Sequence, residues 1–188
     1  MLPVRTFVAI DMSPSVNRAL ASLLEQIQSS GAKAQWIRPE NVHLTLSFLG
    51  DVDPLHIMDV CSAVSAAASE HDAFQLTCRG LGAFPEIGRP RVVWVGMDEG
   101  RGALCSLQAA IATNLDEIGY PKESRRYQPH ITLGRVQRSA DEHALSQIIE
   151  QFSQCEVGET RVDEVLVMSS QLERGGPRYA ILGRAPLC

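Results

Sequence analysis

Two segments of this chain carry residue types that could do acid–base chemistry near neutral pH: His43-Leu44-Thr45-Leu46 and His130-Ile131-Thr132-Leu133. In an extended strand, residues i and i+2 point to the same face. Each segment therefore sets an imidazole beside a hydroxyl, and turns Leu44 and Leu46, or Ile131 and Leu133, toward a core. Histidine titrates near neutrality, so one imidazole of a pair can be protonated while the other is neutral. Threonine hydroxyls donate hydrogen bonds to developing negative charge without titrating themselves. In-line displacement at phosphorus needs a base on one side and an acid on the other, and two such strands brought together supply both. The charge of a bound phosphate favours keeping one imidazole protonated. A single His-x-Thr strand reads as an ordinary half-buried strand with a hydrogen-bonded histidine; two copies with matching apolar flanks, in a chain with only five histidines, read as a site.

The elements that must position these residues repeat at the same 87-residue offset that separates the motifs. Val4–Asp11 is a strand by its β-branched and aromatic content. Ser13-Pro14 starts a helix, with Ser as N-cap and Pro at the first helical position. Val16, Ala19, Leu20, Leu23, Leu24 and Ile27 follow helical spacing, and Gly31 ends the run. Residues 34–37 form a short strand, and the first motif strand spans 42–49. The second half gives a strand at 91–97, a helical stripe of Leu104, Leu107, Ile111, Leu115 and Ile118 closed by Gly119, and a motif strand starting near Pro129. After the motifs, Asp53-Pro54 opens one helix and Ser139 caps another, and strands follow at 74–78 and 161–167. The Gly/Pro-rich stretch 80–90 reads as an inter-lobe loop, and Gly175-Gly176-Pro177 as a hairpin turn between strands at 165–171 and 179–184. His56 and His143 also share the offset and read as helix-surface residues. The expected fold is α+β: one domain over 1–188, a bilobal pseudo-two-fold duplication of β-α-β-α-β units covering about 1–85 and 86–175. Two antiparallel-rich sheets face a central cleft with helices outside.

Bulk properties narrow the function. The net charge of −5 argues against an extended basic face for long nucleic acid, but leaves room for a local site for one terminal phosphate. Arg125, Arg126, Arg135 and Arg138 bracket the second motif, either as a basic rim around an anion or as a solvated loop. Strict alternation turns Arg135 away from His130 and Thr132. Five cysteines with no C-x-x-C point to a reducing cytoplasm without a disulfide framework or thiolate metal site. The N-terminal apolar stretch meets Asp11 too soon for a signal peptide or a membrane span. No H-E-x-x-H or carboxylate cluster accompanies the histidines, so no metal and no cofactor is expected.

Beyond the doublet, the chain carries R-x-F-V-A-I (Arg5 to Ile10), N-V-H-L-T-L-S-F-L-G (Asn41 to Gly50), G-A-F-P (Gly82 to Pro85) and Y-Q-P-H-I-T-L-G-R (Tyr127 to Arg135). With these blocks it resembles the 2H phosphoesterase superfamily, and within it the RNA 2′,3′-cyclic phosphodiesterases, also called 2′-5′ RNA ligases. The resemblance runs through essentially the whole chain. It implies a bilobal α+β fold with a central cleft and metal-independent hydrolysis of an RNA 2′,3′-cyclic phosphate to a 2′-phosphate. For some members it also implies reversible 2′-5′ joining of RNA ends. It implies His43 as proton donor, His130 as proton acceptor, and Thr45 and Thr132 as phosphate-binding residues. The residues themselves leave that direction open, because the repeat is nearly symmetric. Phe48, Arg126, Tyr127 and Arg135 are candidate substrate contacts. Phe48, Tyr127 and Trp94 could stack a base, although Trp94 fits core packing better. The expected partners are RNA ends or cyclic nucleotides, with no membrane, no obligate protein partner and a monomeric state. Two rivals remain: a metal-dependent hydrolase using His43, His130 and His56 or His143 as ligands, and a non-catalytic binder of nucleotides or RNA phosphate ends.

Overall fold

The computed structural model describes residues 2–29, 33–137, 141–174 and 176–188. Its elements are β1 (Val4–Asp11), α1 (Pro14–Ser29), β2 (Ala34–Trp36), β3 (His43–Val52), α2 (Ile57–Ala68), β4 (Phe74–Phe84), β5 (Val92–Met97), α3 (Arg101–Glu117), β6 (His130–Val136), α4 (Glu142–Gln151), β7 (Glu156–Val162), β8 (Glu164–Glu173) and β9 (Gly176–Pro186). The strands form two sheets, ordered β3-β1-β8-β9 and β2-β6-β5-β4-β7, and every pairing is antiparallel. The apolar stripe of α1 is buried through Val16, Leu20, Leu23, Leu24 and Ile27, as its spacing predicts. With α2 to α4 it completes the α+β architecture of two antiparallel sheets and four helices.

The repeats β1-α1-β3-α2-β4 and β5-α3-β6-α4-β8 do not each build their own sheet. They exchange their third strands: β8 pairs with β1, and β4 pairs with β5. The helices cross as well. α1 packs against β7 in the second sheet, and α3 packs against α2, which covers β8 and β9 of the first. Apolar periodicity reports which residues are buried, but strand partners are chosen by long-range pairing, so this exchange leaves no local mark. Its consequence is one continuous core. Val8, Ile10, Leu44 and Leu46 from one sheet join Val93, Val95, Ile131 and Leu133 from the other.

Several boundaries differ from the sequence reading for identifiable reasons. The strand expected at 74–78 continues to Phe84, so the first half of the expected 80–90 loop is strand. Gly80, with φ +75, is the extra residue in the register between Arg79–Gly96 and Leu81–Val95. A glycine in the left-handed region is one way to build a β-bulge, and the bulge lets the strand pass through a glycine that reads as punctuation. The strand expected at 161–167 is two strands, broken at Asp163 between β7 and β8. Asp53 accepts a hydrogen bond from the Leu55 amide and opens a 3-10 turn before α2. α4 is capped by Asp141, whose side chain accepts from the His143 and Ala144 amides. Gly31, Arg138, Ser139 and Gly175 lie outside the described residues.

Candidate active site

The two motif strands approach each other where the sheets meet. The Tyr127 hydroxyl donates to the Thr45 carbonyl oxygen at 2.9 Å and ties the segment before β6 to β3. Leu44, Leu46, Ile131 and Leu133 are buried, while His43, Thr45, His130 and Thr132 remain partly accessible. Directly opposed residues on neighbouring strands share a face. His43 and Thr45 lie opposite Asp11 and Ala9 of β1, and His130 and Thr132 lie opposite Gly96 and Trp94 of β5.

Immediately after each threonine the strand bulges. Leu46 on β3 and Leu133 on β6 are the extra residues in their registers with β1 and β5, and they are 87 residues apart. One extra residue shifts the in–out alternation by one. Phe48 therefore pairs with Phe7, and Arg135 pairs with Val92, on the same faces as the histidines and threonines. The expectation that Arg135 points away fails for this reason. Each motif strand presents residues i, i+2 and i+5 to one side: His43, Thr45 and Phe48 on β3, and His130, Thr132 and Arg135 on β6.

The imidazoles are held alike. Nδ1 of His43 lies 2.8 Å from the Asn41 carbonyl oxygen, and Nδ1 of His130 lies 2.7 Å from that of Gln128. A carbonyl oxygen only accepts, so Nδ1 is the protonated nitrogen in both rings. Nε2 is then the working atom, a base when the ring is neutral and an acid when it is charged. The His43 ring centroid lies 4.9 Å from that of Phe7 and 5.1 Å from that of Tyr179. His130 meets Phe84 edge-on at 4.9 Å, with Trp94 at 6.3 Å. Burial holds the His43 imidazole below the ordinary histidine value, against the upward pulls of the Asn41 carbonyl and the Asp11 carboxylate.

That shift has a sign in stability. Between the folded-state value and the ordinary value of 6.5, the unfolded chain binds more protons at this site than the folded one. Stability from this group is therefore fully present above about 6.5 and is lost as pH falls through the folded value. Thermal unfolding measured across this window should show a midpoint that drops on acidification, with a shallower drop in His43→Gln.

His43, Thr45 and Thr132 line a cleft of about 590 Å³ together with Arg5, Arg38 and Arg135, a size suited to a small-molecule ligand. Among the described residues no aspartate or glutamate lines it, although the chain as a whole is acidic. Phe48 is 64% exposed at the cleft, its ring available for stacking. His130 opens onto an adjoining cavity of about 270 Å³. His130 and Thr132 share a face two residues apart on β6, so the residue that borders the cavity and the one that borders the cleft are neighbours on one strand. Neither hydroxyl and neither Nε2 atom is engaged by another described residue.

The other candidates separate clearly. Arg125 and Arg126 are exposed, and neither lines the cleft or the adjoining cavity. Tyr127 lines neither space and acts as a strut to Thr45. Trp94 stacks on Gly82, where an added Cβ would come within 2.2 Å of its ring. His56 borders a separate groove with Asp59 and Glu117, and His143 is exposed at the start of α4. Among the described residues no three His, Cys, Asp or Glu side chains gather as a metal site, so the ligand set of the metal-dependent rival does not assemble. The cleft also contains residues that motif reading missed. Trp36 reaches it from the three-residue strand β2, and Tyr179 from β9. Phe7 alone carried a signal, lying one repeat offset before Trp94.

Trp36 sits over Gly134, where a Cβ would approach its ring to 2.5 Å. Gly134→Ala must displace that ring from the cleft wall. Overpacking of this kind costs about 1–3 kcal/mol, so a lowered melting temperature and a raised KM are expected, measured by calorimetry and steady-state kinetics.

Residues 12–174 match the sequence profile of the 2′-5′ RNA ligase superfamily. The RNA 2′,3′-cyclic phosphodiesterase of Aquifex aeolicus is 32% identical over 183 residues, which cover 97% of this chain and 96% of that one. Its counterpart in Archaeoglobus fulgidus is 33% identical over 177 residues, covering 94% and 96%. The crystal structure of E. coli LigT in its apo form superposes with a TM-score of 0.76 at 27% identity, over 100% of this chain and 99% of that one. TT0787 of Thermus thermophilus superposes with a TM-score of 0.82 at 24% identity over 97% of both chains, a likeness of fold. With a match that runs through both motif strands and relatives aligned over nearly its whole length, the chain belongs to the 2′-5′ RNA ligase superfamily.

Proposed function

We propose that this protein hydrolyses 2′,3′-cyclic phosphates at RNA ends, and in cyclic nucleotides, to 2′-phosphates by metal-independent two-histidine acid–base catalysis. The observation that carries the proposal is the twin His–Thr face, with both Nδ1 atoms pinned and both Nε2 atoms left free. Relatives aligned over nearly the whole chain are named RNA 2′,3′-cyclic phosphodiesterases, and E. coli LigT, 27% identical, has been solved with NADP+ bound, a ligand carrying nucleotide phosphates.

In this mechanism the cyclic phosphate lies between the motif strands. Thr45 and Thr132 donate to its non-bridging oxygens, and Arg135 adds a guanidinium that suits phosphate geometry. Neutral His130 takes a proton from water through Nε2 as the water attacks phosphorus in line. Protonated His43 gives its proton to the departing 3′ oxygen. Binding of the phosphate anion raises the His43 value that burial depresses, which keeps that ring charged at the moment it must donate. Phe48 and Trp36 offer faces for a base. Reversal with an alcohol in place of water gives 2′-5′ joining. The 188 residues work as one two-lobed domain and as a monomer. Five free cysteines fit a reducing, cytoplasmic setting, and no helix among the described residues is long and apolar enough to cross a membrane.

A panel of 2′,3′-cyclic mononucleotides and cyclic-phosphate-ended oligonucleotides, assayed in excess chelator, tests the proposal. Turnover that persists in chelator is expected. Tight binding without turnover would establish a binder, and loss of turnover on chelation would establish the metal-dependent reading.

A further inference from the structure

The two imidazoles are pinned by like bonds, but the carbonyls that pin them are anchored differently. Each Nδ1 donates to the carbonyl oxygen two residues earlier in the chain. Gln128, behind His130, is exposed, and its side chain engages no described residue. Asn41, behind His43, is 9% exposed. Its Nδ2 donates to the Pro177 carbonyl oxygen at 2.9 Å, across 136 residues of sequence. A buried amide of this kind costs stability unless it is hydrogen-bonded. Asn41 ends the 3-10 turn Pro39–Asn41 that delivers the chain into β3. Pro177 stands near the start of β9, opposite Leu172 of β8. In the first sheet β3 and β9 are the two edges, with β1 and β8 between them. Ladder spacing alone would keep those edges about 14 Å apart. The Asn41–Pro177 bond therefore belongs to no ladder and links the two edges across the face that carries His43. Tyr179, two residues beyond Pro177, meets the His43 ring edge-on from the same ribbon.

We propose that Asn41 is a positioning residue for proton donation: by tying the turn before β3 to Pro177 it fixes the carbonyl that holds Nδ1 of His43, and so aims Nε2 at the departing 3′ oxygen. The inference rests on the reading of His43 as the acid. The imidazole is located by one hydrogen bond at Nδ1 and by the Phe7 and Tyr179 rings beside it. Untying the turn frees the accepting carbonyl, and the ring follows it. A misplacement near 1 Å of a reacting group is enough to cost about a hundredfold in rate. Asn41 also lines the cleft, so contact with substrate is the competing role. The two roles differ in which kinetic constant moves.

Steady-state kinetics of the full chain on a 2′,3′-cyclic nucleotide and on a phosphodiester with a nitrophenolate leaving group test the role. In Asn41→Ala, kcat on the cyclic nucleotide should fall by about tenfold to a hundredfold, with KM unchanged. On the nitrophenyl ester, whose leaving group needs no acid, kcat should fall far less. Asn41→Leu, which keeps the volume of the side chain but not its donor, should give the same pattern. Adding Asn41→Ala to His43→Ala should cost nothing further on the cyclic nucleotide, because the group it positions is already gone. Undiminished kcat in Asn41→Ala, an equal fall on both substrates, a rise in KM alone, or an additive loss on top of His43→Ala would overturn the positioning role and leave the two-histidine chemistry standing. His43→Ala as slow on the nitrophenyl ester as on the cyclic nucleotide would overturn the acid assignment itself, and the role of Asn41 with it.

Discussion

His130→Ala is expected to lose two or more orders of magnitude in turnover of a cyclic-phosphate-ended RNA, the usual scale for removing a general base. The expectation follows from how little else is available to do its work. Nδ1 is committed to the Gln128 carbonyl oxygen, so Nε2 is the basic nitrogen, and among the described residues no carboxylate lines the cleft or the adjoining cavity to replace it. His43→Ala should lose a similar factor. His43 has a carboxylate opposite it in the register, Asp11 on β1. Asp11 is exposed and does not line the cleft, so it tunes the imidazole without substituting for it. Because each ring also packs against aromatic neighbours, glutamine variants at both positions keep most of the volume and should show the same kinetic loss with a smaller change in melting temperature. Near wild-type turnover in His130→Ala would remove it from the reaction.

The second large effect separates the two roles. Both imidazoles carry the same tautomer, so local geometry treats them as equivalent, and the family resemblance supplies the direction. A phosphodiester with a nitrophenolate leaving group needs no proton from an acid. Such a substrate should restore His43→Ala by about two orders of magnitude relative to its rate on the cyclic nucleotide, the contribution of the missing acid. It should leave His130→Ala as slow as before, because the attacking water still needs a base. Rescue of His130→Ala alone would exchange the assignments. Burial lowers the His43 pKa and favours its neutral form in the unliganded protein, so rescue of His43→Ala also tests whether bound phosphate restores the charged form that donates.

Much of this site was legible because its signals are local and repeated. Side-chain alternation placed Leu44, Leu46, Ile131 and Leu133 in the core and the histidines and threonines outside it. Arg135 is a candidate contact by its place in the motif while strict alternation turns it away; the bulge at Leu133 inverts alternation and brings it to the cleft, and nothing in the apolar pattern marks one extra residue. Tyr127 was misread for a different reason: an aromatic next to a motif looks like a ligand contact until its hydroxyl is found on the Thr45 carbonyl. Trp36, Arg38 and Tyr179 escaped notice because they reach the cleft through pairings of β2 with β6 and of β8 with β9, which are properties of the assembled sheets. The exchange of β4 and β8 between the repeats was hidden for the same reason. It also explains why neither repeat could complete the site alone: β8 supports β1 behind His43, and β4 supports β5 behind His130.

The most direct test of two-histidine attack on a cyclic phosphate is a single turnover of cyclic-phosphate-ended RNA in isotopically labelled water and excess chelator, read by phosphorus NMR. The expected product is a 2′-phosphate carrying one labelled oxygen, formed by the wild-type protein and absent on the same timescale with His130→Ala. A 3′-phosphate, or a reaction that stops when metal is withdrawn, would contradict it.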